Sequence, residues 1–327
     1  MSCQRISLRV LMPAMVLACL AGCGGGSDGG GGAQGTPPTA PTSGTTAAST
    51  PTLVGGVSIK ASDILGEASG RVPFAQQSGW GAQVLGEYPS ADQIPETGIN
   101  GTLLPNGETL RFGKQVDPTD STKQAIAVQL APGDPLTSGS HRSEIEMPPS
   151  VVNGQTYWMA VRVFVPDWGT LPDGDAALFG AQLHAGNSNL GYSPSFTLAT
   201  YGGASGGRTF QVFRTYTDAG GSQIAYRYPE IPIPFGQWTT FVFKFRHALD
   251  SSGLLQVWMN DSQIVDYSGP IGWNTPGYQD YAKFGYYNWS NFGTSRKVLL
   301  ASPVLISDPT GNTYSESDLS AFVQANG

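Results

Sequence analysis

The clearest fold signal lies in two segments, FGQWTTFVFKF from Phe235 to Phe245 and LLQVWMND from Leu254 to Asp261. Side chains of a β-strand point alternately to opposite faces, so the phenylalanines of the first segment share one face. Residues typical of a turn lie between the segments at Asp250 to Gly253, and Asn260-Asp261 favours a second tight turn. We therefore predict a β-hairpin with an apolar inward face, followed by a tight turn.

The same strand pattern continues along most of the chain, which has 44 glycines, 24 prolines and no long window of helical periodicity. Short runs rich in aromatic and β-branched residues recur between turn signals, as expected for an all-β sandwich or jelly roll of two antiparallel sheets. The clearest predicted strands are Gln124 to Leu130, Tyr157 to Val165, Ser195 to Tyr201, Thr209 to Tyr216, Trp238 to Arg246, Leu254 to Asn260 and Val298 to Ile306.

Helical signals are confined to two places. Glu316 to Gln324 is the best candidate, with Ser315 or Ser317 as its N-cap. Asp63 to Leu65 is a weaker candidate for the start of a short helix.

The first residues predict export. Arg5 and Arg9 precede an apolar run from Val10 to Leu20, which is too short for a transmembrane helix. The four residues ending at Cys23 resemble a bacterial lipobox, which implies cleavage before Cys23 and lipid on its sulfur and amine. Gly24 follows Cys23, so no aspartate is present to retain the protein at the inner membrane. We therefore expect it in the outer membrane, on the periplasmic or the surface face. The alternative is a plain signal peptide with an incidental cysteine.

These signals divide the chain into three parts. Residues 1–22 are the predicted lipoprotein signal peptide, and residues 23–53 are rich in Gly, Ser, Thr and Pro. Such a stretch buries too little apolar surface to offset its ordering entropy, so we predict a flexible tether. Residues 54–327 are left for a single β-jelly-roll domain.

Cysteine content and net charge limit the ligands and partners that the chain is expected to bind. Cysteines occur only at positions 3, 19 and 23, which excludes disulfides and cysteine-bound metals from the predicted domain. The formal net charge is −7 and no basic stripe is visible, so we expect no nucleic-acid partner. An acidic protein still binds an anionic polymer if its few cations converge in one groove. We expect a monomer.

Three strand segments carry unusual polar faces: HRSE from His141 to Glu144, QLH from Gln182 to His184, and YAKFGYYN from Tyr281 to Asn288. Alternation places Arg142 with Glu144, Gln182 with His184, and Tyr281 with Lys283 and Tyr287. If the strands share a sheet, that face presents a guanidinium, an amide, an imidazole, an amine and two phenols.

Each segment also has an ordinary structural interpretation. Arg142 and Glu144 by themselves are consistent with a surface ion pair, which contributes little to stability. A lone histidine such as His184 is usually structural. Lys283 argues against a purely structural third segment, because lysine is almost never buried unpaired. We expect Gly285 to leave room for a ligand to approach the backbone.

The three segments resemble motifs of the jelly-roll polysaccharide lyases, over roughly residues 100–306. In the alginate lyases of polysaccharide lyase family 7 the motifs are R-[ST]-E-[LV]-R, Q-[IV]-H and Y-F-K-x-G-x-Y-N-Q, in the order found in this chain. The hairpin that follows Phe235 is similar to concanavalin A-like folds, including the heparin lyase I and glucuronan lyase groups. Glu146 and Trp289 depart from the motifs, and the cation lost at Glu146 weakens the case for alginate itself.

The resemblance implies β-elimination on a uronic-acid-containing polysaccharide such as alginate, glucuronan or a glycosaminoglycan. Arg142 and Gln182 would neutralise the uronate carboxylate, and either His184 or Tyr287 would remove the C5 proton. Tyr287 would then protonate the departing O4. The further residues expected to bind substrate are Lys283, Glu144, Tyr281 and Trp289.

No cofactor is required for this chemistry, and no metal site is predicted, although folds of this class sometimes carry a structural calcium ion. One alternative is a non-catalytic carbohydrate-binding lipoprotein of the same fold. A less favoured one is a β-glucanase-like hydrolase, which would use paired carboxylates such as Glu144 and Glu146.

Overall fold

The computed structural model describes residues 53–54, 56–63, 81–84, 87–88, 112–134, 136, 139–186, 194–218, 220–273, 279–289 and 293–326. The predicted signal peptide, Cys23 and all but the last residue of the predicted tether lie outside these residues. Of the weak helical candidate at Asp63 to Leu65 only Asp63 is described, and it ends a single 3₁₀ turn, Ala61–Asp63.

Strands dominate the described chain, and all of their pairings are antiparallel. In chain order they are β1 (Gly56–Ser58), β2 (Gly81–Val84), β3 (Glu87–Tyr88), β4 (Phe112–Val116), β5 (Gln124–Leu130), β6 (His141–Val151), β7 (Thr156–Phe164), β8 (Ala176–His184), β9 (Phe196–Tyr201), β10 (Thr209–Thr217), β11 (Gln223–Arg227), β12 (Ile231–Pro232), β13 (Trp238–Arg246), β14 (Leu254–Met259), β15 (Ser262–Ser268), β16 (Asp280–Asn288) and β17 (Arg296–Ser307).

The described strands form two sheets. Sheet 1 has eight strands in the order β15-β14-β13-β7-β17-β5-β4, with β1 also paired to β17. Sheet 2 has nine strands in the order β11-β10-β9-β8-β16-β6-β2-β3, with β12 paired to β10. The predicted all-β sandwich of two antiparallel sheets is confirmed.

The core lies between the two sheets. From sheet 1 it receives Phe241, Phe243 and Phe245 of β13, as the alternation in the opening hairpin predicts. From sheet 2 it receives Phe284 and Tyr286 of β16. Because neighbouring side chains alternate, the odd-numbered residues of β16 point to the outer face of sheet 2.

The tight turn predicted at Asn260-Asp261 joins β14 to β15. Both residues have positive φ, 46° and 65°, which is the conformation of a two-residue type I′ hairpin turn. The Asn260 side-chain oxygen also accepts a hydrogen bond from the Thr240 amide at 2.9 Å. The short polar side chains of Asn and Asp tolerate this left-handed backbone better than most residues.

One α-helix, α1 (Glu316–Ala325), closes the described chain and confirms the predicted C-terminal helix. Ser315 is its N-cap and forms a capping box with Asp318. Leu319 and Val323 pack on the outer face of sheet 1, away from the three motifs. Within the described residues, no helix is both long and apolar enough to cross a bilayer.

Candidate active site

The three motifs lie on neighbouring strands of sheet 2, with β16 between β6 and β8. The register places opposite one another the pairs Tyr287 and Arg142, Lys283 and Gln182, and Tyr281 and His184. Pairing therefore collects on one outer face the residues that alternation had assigned to three separate strands. Their roles in binding and catalysis stay predictions.

Arg142 and Tyr287 form one end of this site. The Arg142 guanidinium carbon lies 4.5 Å from the centre of the Tyr287 ring, which is a cation–π contact. The Tyr287 hydroxyl lies 3.0 Å from the Ser140 hydroxyl, within hydrogen-bond distance. Tyr287 is half-buried, so its ring is held while part of it stays accessible. Sequence reasoning missed Ser140, although it directly precedes the first motif.

Glu144 is the centre of the ionic contacts in the floor of the site. Its Oε2 lies 3.7 Å from Arg142 Nη1 and 3.7 Å from Lys283 Nζ, and its Oε1 accepts a hydrogen bond from the Gln182 amide nitrogen. Lys283 also lies 3.2 Å from Glu146 Oε1. This geometry allows Glu144 to hold the Arg142 guanidinium in position.

Burial places two of the predicted substrate contacts below the surface. Lys283 is 0% exposed and Glu144 is 2% exposed, so both act in this structure as supports for Arg142 and Gln182. A buried lysine needs compensating charge, and Glu144 and Glu146 provide it. Glu144 and Glu146 are also the two carboxylates that the β-glucanase alternative would use. In this structure both are paired with the ammonium group of Lys283.

His184 is held in a fixed orientation beside Tyr281. Its Nδ1 lies 2.7 Å from the carbonyl oxygen of Ala185, and its ring centre lies 5.0 Å from that of Tyr281. Burial, followed by the positive charges of Lys283 and Arg142, lowers the pKa of His184 from 6.5 to about 3. The imidazole is therefore neutral near pH 7, with Nδ1–H donating to Ala185 and Nε2 left as an acceptor.

Glycine is needed at position 285 because of a neighbouring strand, and not to make room for a ligand as the sequence suggested. Its φ is +152°, and a Cβ at this position would overlap the carbonyl oxygen of Ser143 and crowd Glu144 Cα. Glycine is therefore required for the close approach of β16 to β6. Gly285 and Gly180 line the same shallow depression as Glu144, Gln182 and Lys283.

A buried network supports β16 from the other face. Asn288 is 0% exposed, and its amide nitrogen donates to Asp175 at 3.2 Å. Asp175 also forms an ion pair with Arg296, whose guanidinium lies 3.4 Å from the Tyr286 hydroxyl. Asn288 therefore points to the face of sheet 2 opposite to that of Tyr287.

Trp289 extends the site along sheet 2. It is 42% exposed, and its ring lies 5.7 Å from that of Tyr287 and 5.9 Å from that of Tyr201. Sequence reasoning identified Trp289 but missed Tyr201 and its neighbour Arg227. Both lie on strands outside the three motifs, so only the pairing of β9, β10 and β11 reveals them.

No cluster of three or more His, Cys, Asp or Glu side chains arranged to hold a metal ion occurs in the described ranges. The cationic groups of the site are Arg142 and Lys283, and its acceptors are Glu144 and the neutral His184. Such a set can bind a carboxylate and position a phenol for proton transfer.

Comparisons with solved structures find chains similar to this one. The chain is similar to the endo-β-1,4-glucuronan lyase of the fungus Trichoderma reesei, with 13% identity, coverage of 60% of this chain and 87% of that chain, and a TM-score of 0.50. The alginate lyase AlyC3 has 13% identity, coverage of 75% and 96%, and a TM-score of 0.48. No curated protein matched the sequence.

The family assignment comes from the sequence match. The family model described as "Polysaccharide lyase" matches residues 79–302, which is more than half of the 327 residues. The match includes all three motifs and every strand of the site. With the jelly-roll fold established, this chain belongs to the polysaccharide lyase family.

Proposed function

We propose that the protein cleaves a uronic-acid-containing polysaccharide by β-elimination, with alginate, glucuronan and glycosaminoglycans as candidate substrates. The observation that carries the proposal is the pairing of Arg142 with Tyr287, whose ring lies 4.5 Å from the guanidinium carbon. A carboxylate receptor and a proton-transfer group are thereby adjacent on one accessible face. β-Elimination from a uronate requires both.

Arg142 binds the uronate carboxylate in this mechanism. Its planar fork matches the two carboxylate oxygens, and Glu144 fixes its position through the 3.7 Å ion pair. Neutralising the carboxylate makes the C5 proton more acidic. Donors placed in advance then stabilise the negative charge that develops on the carboxylate as this proton leaves.

Tyr287 acts as both base and acid. Its deprotonated oxygen takes the C5 proton, the C5 electron pair forms the C4–C5 double bond, and the C4–O4 bond breaks. Tyr287 then returns the proton to the departing O4. Arg142 lies over the Tyr287 ring, and the Ser140 hydroxyl, 3.0 Å away, orients the Tyr287 oxygen.

His184 is a binding group in this mechanism. A group with a pKa of about 3 is a weak base near pH 7, because a general base works best when its pKa is close to the operating pH. The Nε2 lone pair of a neutral His184, whose Nδ1 is engaged by Ala185, instead accepts a hydrogen bond from a sugar hydroxyl. We therefore propose Tyr287, and not His184, as the group that removes the proton.

The test is an elimination assay on the predicted jelly-roll domain, residues 54–327. We expect ultraviolet absorbance from the new conjugated double bond with at least one of alginate, glucuronan, heparin or hyaluronan. Tyr287→Phe should lower kcat by at least about a hundredfold, in line with general acid–base contributions. Tyr314→Phe is the matched control, because the Tyr314 hydroxyl donates to the Val54 carbonyl outside this site.

The outcomes are distinct. Folded protein that produces no unsaturated ends from any polyuronate would refute the proposed substrate class. Full activity of Tyr287→Phe would refute the role of Tyr287, with the substrate class unaffected. A His184→Gln enzyme with as little activity as Tyr287→Phe, but unchanged KM, would return the role of base to His184.

We also propose that the mature protein is a lipoprotein anchored through Cys23 in the outer membrane. The sequence supports this through the apolar run before LAGC and the following Gly24. In a bacterial host, a palmitate analogue should label the wild type and not Cys23→Ser. Labelling of both proteins would exclude lipid attachment at this residue.

Elimination by these residues needs no metal, and we propose a cofactor-independent enzyme. Activity should survive dialysis against a chelator with its initial rate unchanged. A loss of activity that calcium restores, together with a lower Tm, would instead establish a structural calcium ion.

A further inference from the structure

A strip of four aromatic residues runs from the candidate active site across sheet 2. It consists of Tyr287, Trp289, Tyr201 and Phe213, and we call it the aromatic strip. Adjacent ring centres lie 5.7 Å apart between Tyr287 and Trp289, 5.9 Å between Trp289 and Tyr201, and 5.6 Å between Tyr201 and Phe213. The strip is continuous with the site because Tyr287 belongs to both.

Arg227 lies at the far end of the aromatic strip. Its guanidinium carbon is 4.9 Å from the centre of the Tyr201 ring and 5.1 Å from that of Phe213. Arg227 is exposed, and within the described residues no carboxylate lies within 4.0 Å of it. Stacking on two rings holds the guanidinium plane, so its hydrogen-bond donors remain available to an anion.

Arg208 offers an informative comparison. It too lies over an aromatic ring, with its guanidinium carbon 4.5 Å from the centre of Phe235. However, Arg208 Nη1 is paired with Asp167 Oδ1 at 2.8 Å, so its charge is already compensated. Stacking is therefore shared by both arginines, and the absence of a described carboxylate partner distinguishes Arg227.

The two arginines mark the ends of an extended surface. Arg142 lies on β6 and Arg227 on β11, five strand spacings apart in sheet 2. At about 4.8 Å per spacing the separation between the strands is on the order of 24 Å. The intervening surface bears the aromatic strip, with Trp289 42% exposed. A single sugar cannot reach both ends, whereas an extended oligosaccharide lying across the strands can.

We propose that the aromatic strip and Arg227 form a remote substrate subsite, in which Arg227 binds a second uronate carboxylate several sugars from the scissile bond. The inference rests on the proposed β-elimination and specifies its substrate further. The substrate is a chain in which uronates recur, and longer oligosaccharides bind better than short ones. Sugar rings stack on Trp289 and Tyr201, and the two arginines neutralise carboxylates at both ends.

The experiment compares Arg227→Gln with Arg208→Gln on oligosaccharides of graded length, prepared from the polyuronate that the wild type cleaves. For the longest oligosaccharides, Arg227→Gln should raise KM about tenfold with kcat unchanged, as expected when one charge-assisted contact is lost. For the shortest cleaved oligosaccharide KM should change less than twofold. Arg208→Gln should match the wild type at every length.

A charge-specific readout separates binding from a structural effect. The KM difference between wild type and Arg227→Gln should shrink at high salt, because an exposed carboxylate contact is screened. Arg227→Lys, which keeps the charge but loses the planar fork, should fall between the two. Unchanged activity on the shortest oligosaccharide also verifies that each variant is folded.

Failure of the remote subsite can be told apart from failure of the proposed function. If the wild type cleaves a polyuronate but Arg227→Gln has wild-type KM at every length, the remote subsite is refuted and the proposed function stands. If KM rises equally for all lengths, the residue acts on the site as a whole and the remote subsite is also refuted. If the wild type cleaves no polyuronate, the proposed function fails, and the inference falls with it.

Discussion

The low pKa of His184 makes the stability of this protein depend on pH in a calculable way. Burial and two nearby cations lower that pKa from 6.5 to about 3 in the folded state, whereas the unfolded chain keeps the ordinary value. Between these values the unfolded state binds a proton that the folded state does not. Stability from His184 is therefore complete above about pH 6.5 and is lost as the pH falls towards 3.

The magnitude follows from the same two values. At 1.36 kcal/mol per pKa unit, the full shift of the pKa from 6.5 to about 3 changes the free energy of unfolding by about 5 kcal/mol. Between pH 7.5 and pH 5 the linkage relation gives a loss of about 2 kcal/mol. That is a large fraction of the stability of a typical domain.

The assay is chemical denaturation of wild type and His184→Gln at both pH values. Substitution changes packing by an amount that does not depend on pH, so the comparison uses the difference between the two proteins. We expect the free energy of unfolding of the wild type, relative to His184→Gln, to be about 2 kcal/mol greater at pH 7.5 than at pH 5. His141→Gln is the control, with a smaller change because His141 is only half-buried.

A difference between wild type and His184→Gln that stays constant from pH 5 to pH 7.5 would refute the reasoning. It would mean that His184 titrates near 6.5 in the folded protein. The assignment of proton removal to Tyr287 alone would then lose its physical basis, because an imidazole with an ordinary pKa is well matched to act as a base.

Three further predictions concern stability. Asp175→Asn should destabilise the protein by about 3–5 kcal/mol, measured by denaturant titration, because it leaves Arg296 buried without its carboxylate partner; an unchanged midpoint would contradict this role. Gly285→Ala should lower both Tm and activity, because its Cβ overlaps the Ser143 carbonyl; a variant with wild-type Tm and KM would show that β16 shifts without cost. Ser315→Ala should cost about 1 kcal/mol in thermal denaturation by removing the helix cap, with unchanged activity; a loss of activity would contradict the separation of α1 from the site.

Much of the fold was predictable because its signals are local. β5 and β13 have the predicted bounds, Gln124–Leu130 and Trp238–Arg246, since alternating apolar residues and flanking turn residues act over a few positions. The N-cap at Ser315 and the turn at Asn260-Asp261 are equally local. At the weak helical candidate, Ala61–Asp63 forms only a 3₁₀ turn.

The interior of the site was less predictable. Full burial of Lys283 between Glu144 and Glu146 depends on which residue of β6 faces which residue of β16, and no local pattern encodes that register. The departure from the family motif at Glu146 thereby gains a structural explanation, because its carboxylate compensates the buried ammonium. The collision that requires Gly285 is likewise with another strand and not with a ligand.

Alternation alone assigns Arg142, Gln182, His184 and Tyr287 to polar strand faces, because it follows from backbone geometry within one strand. Which strands are neighbours is known only from the folded structure, which places Arg142 over Tyr287 and Arg227 at the end of the aromatic strip. The physical reason is that alternation is a property of consecutive residues. Strand order and register instead depend on hydrogen bonds and core packing between segments far apart in the chain.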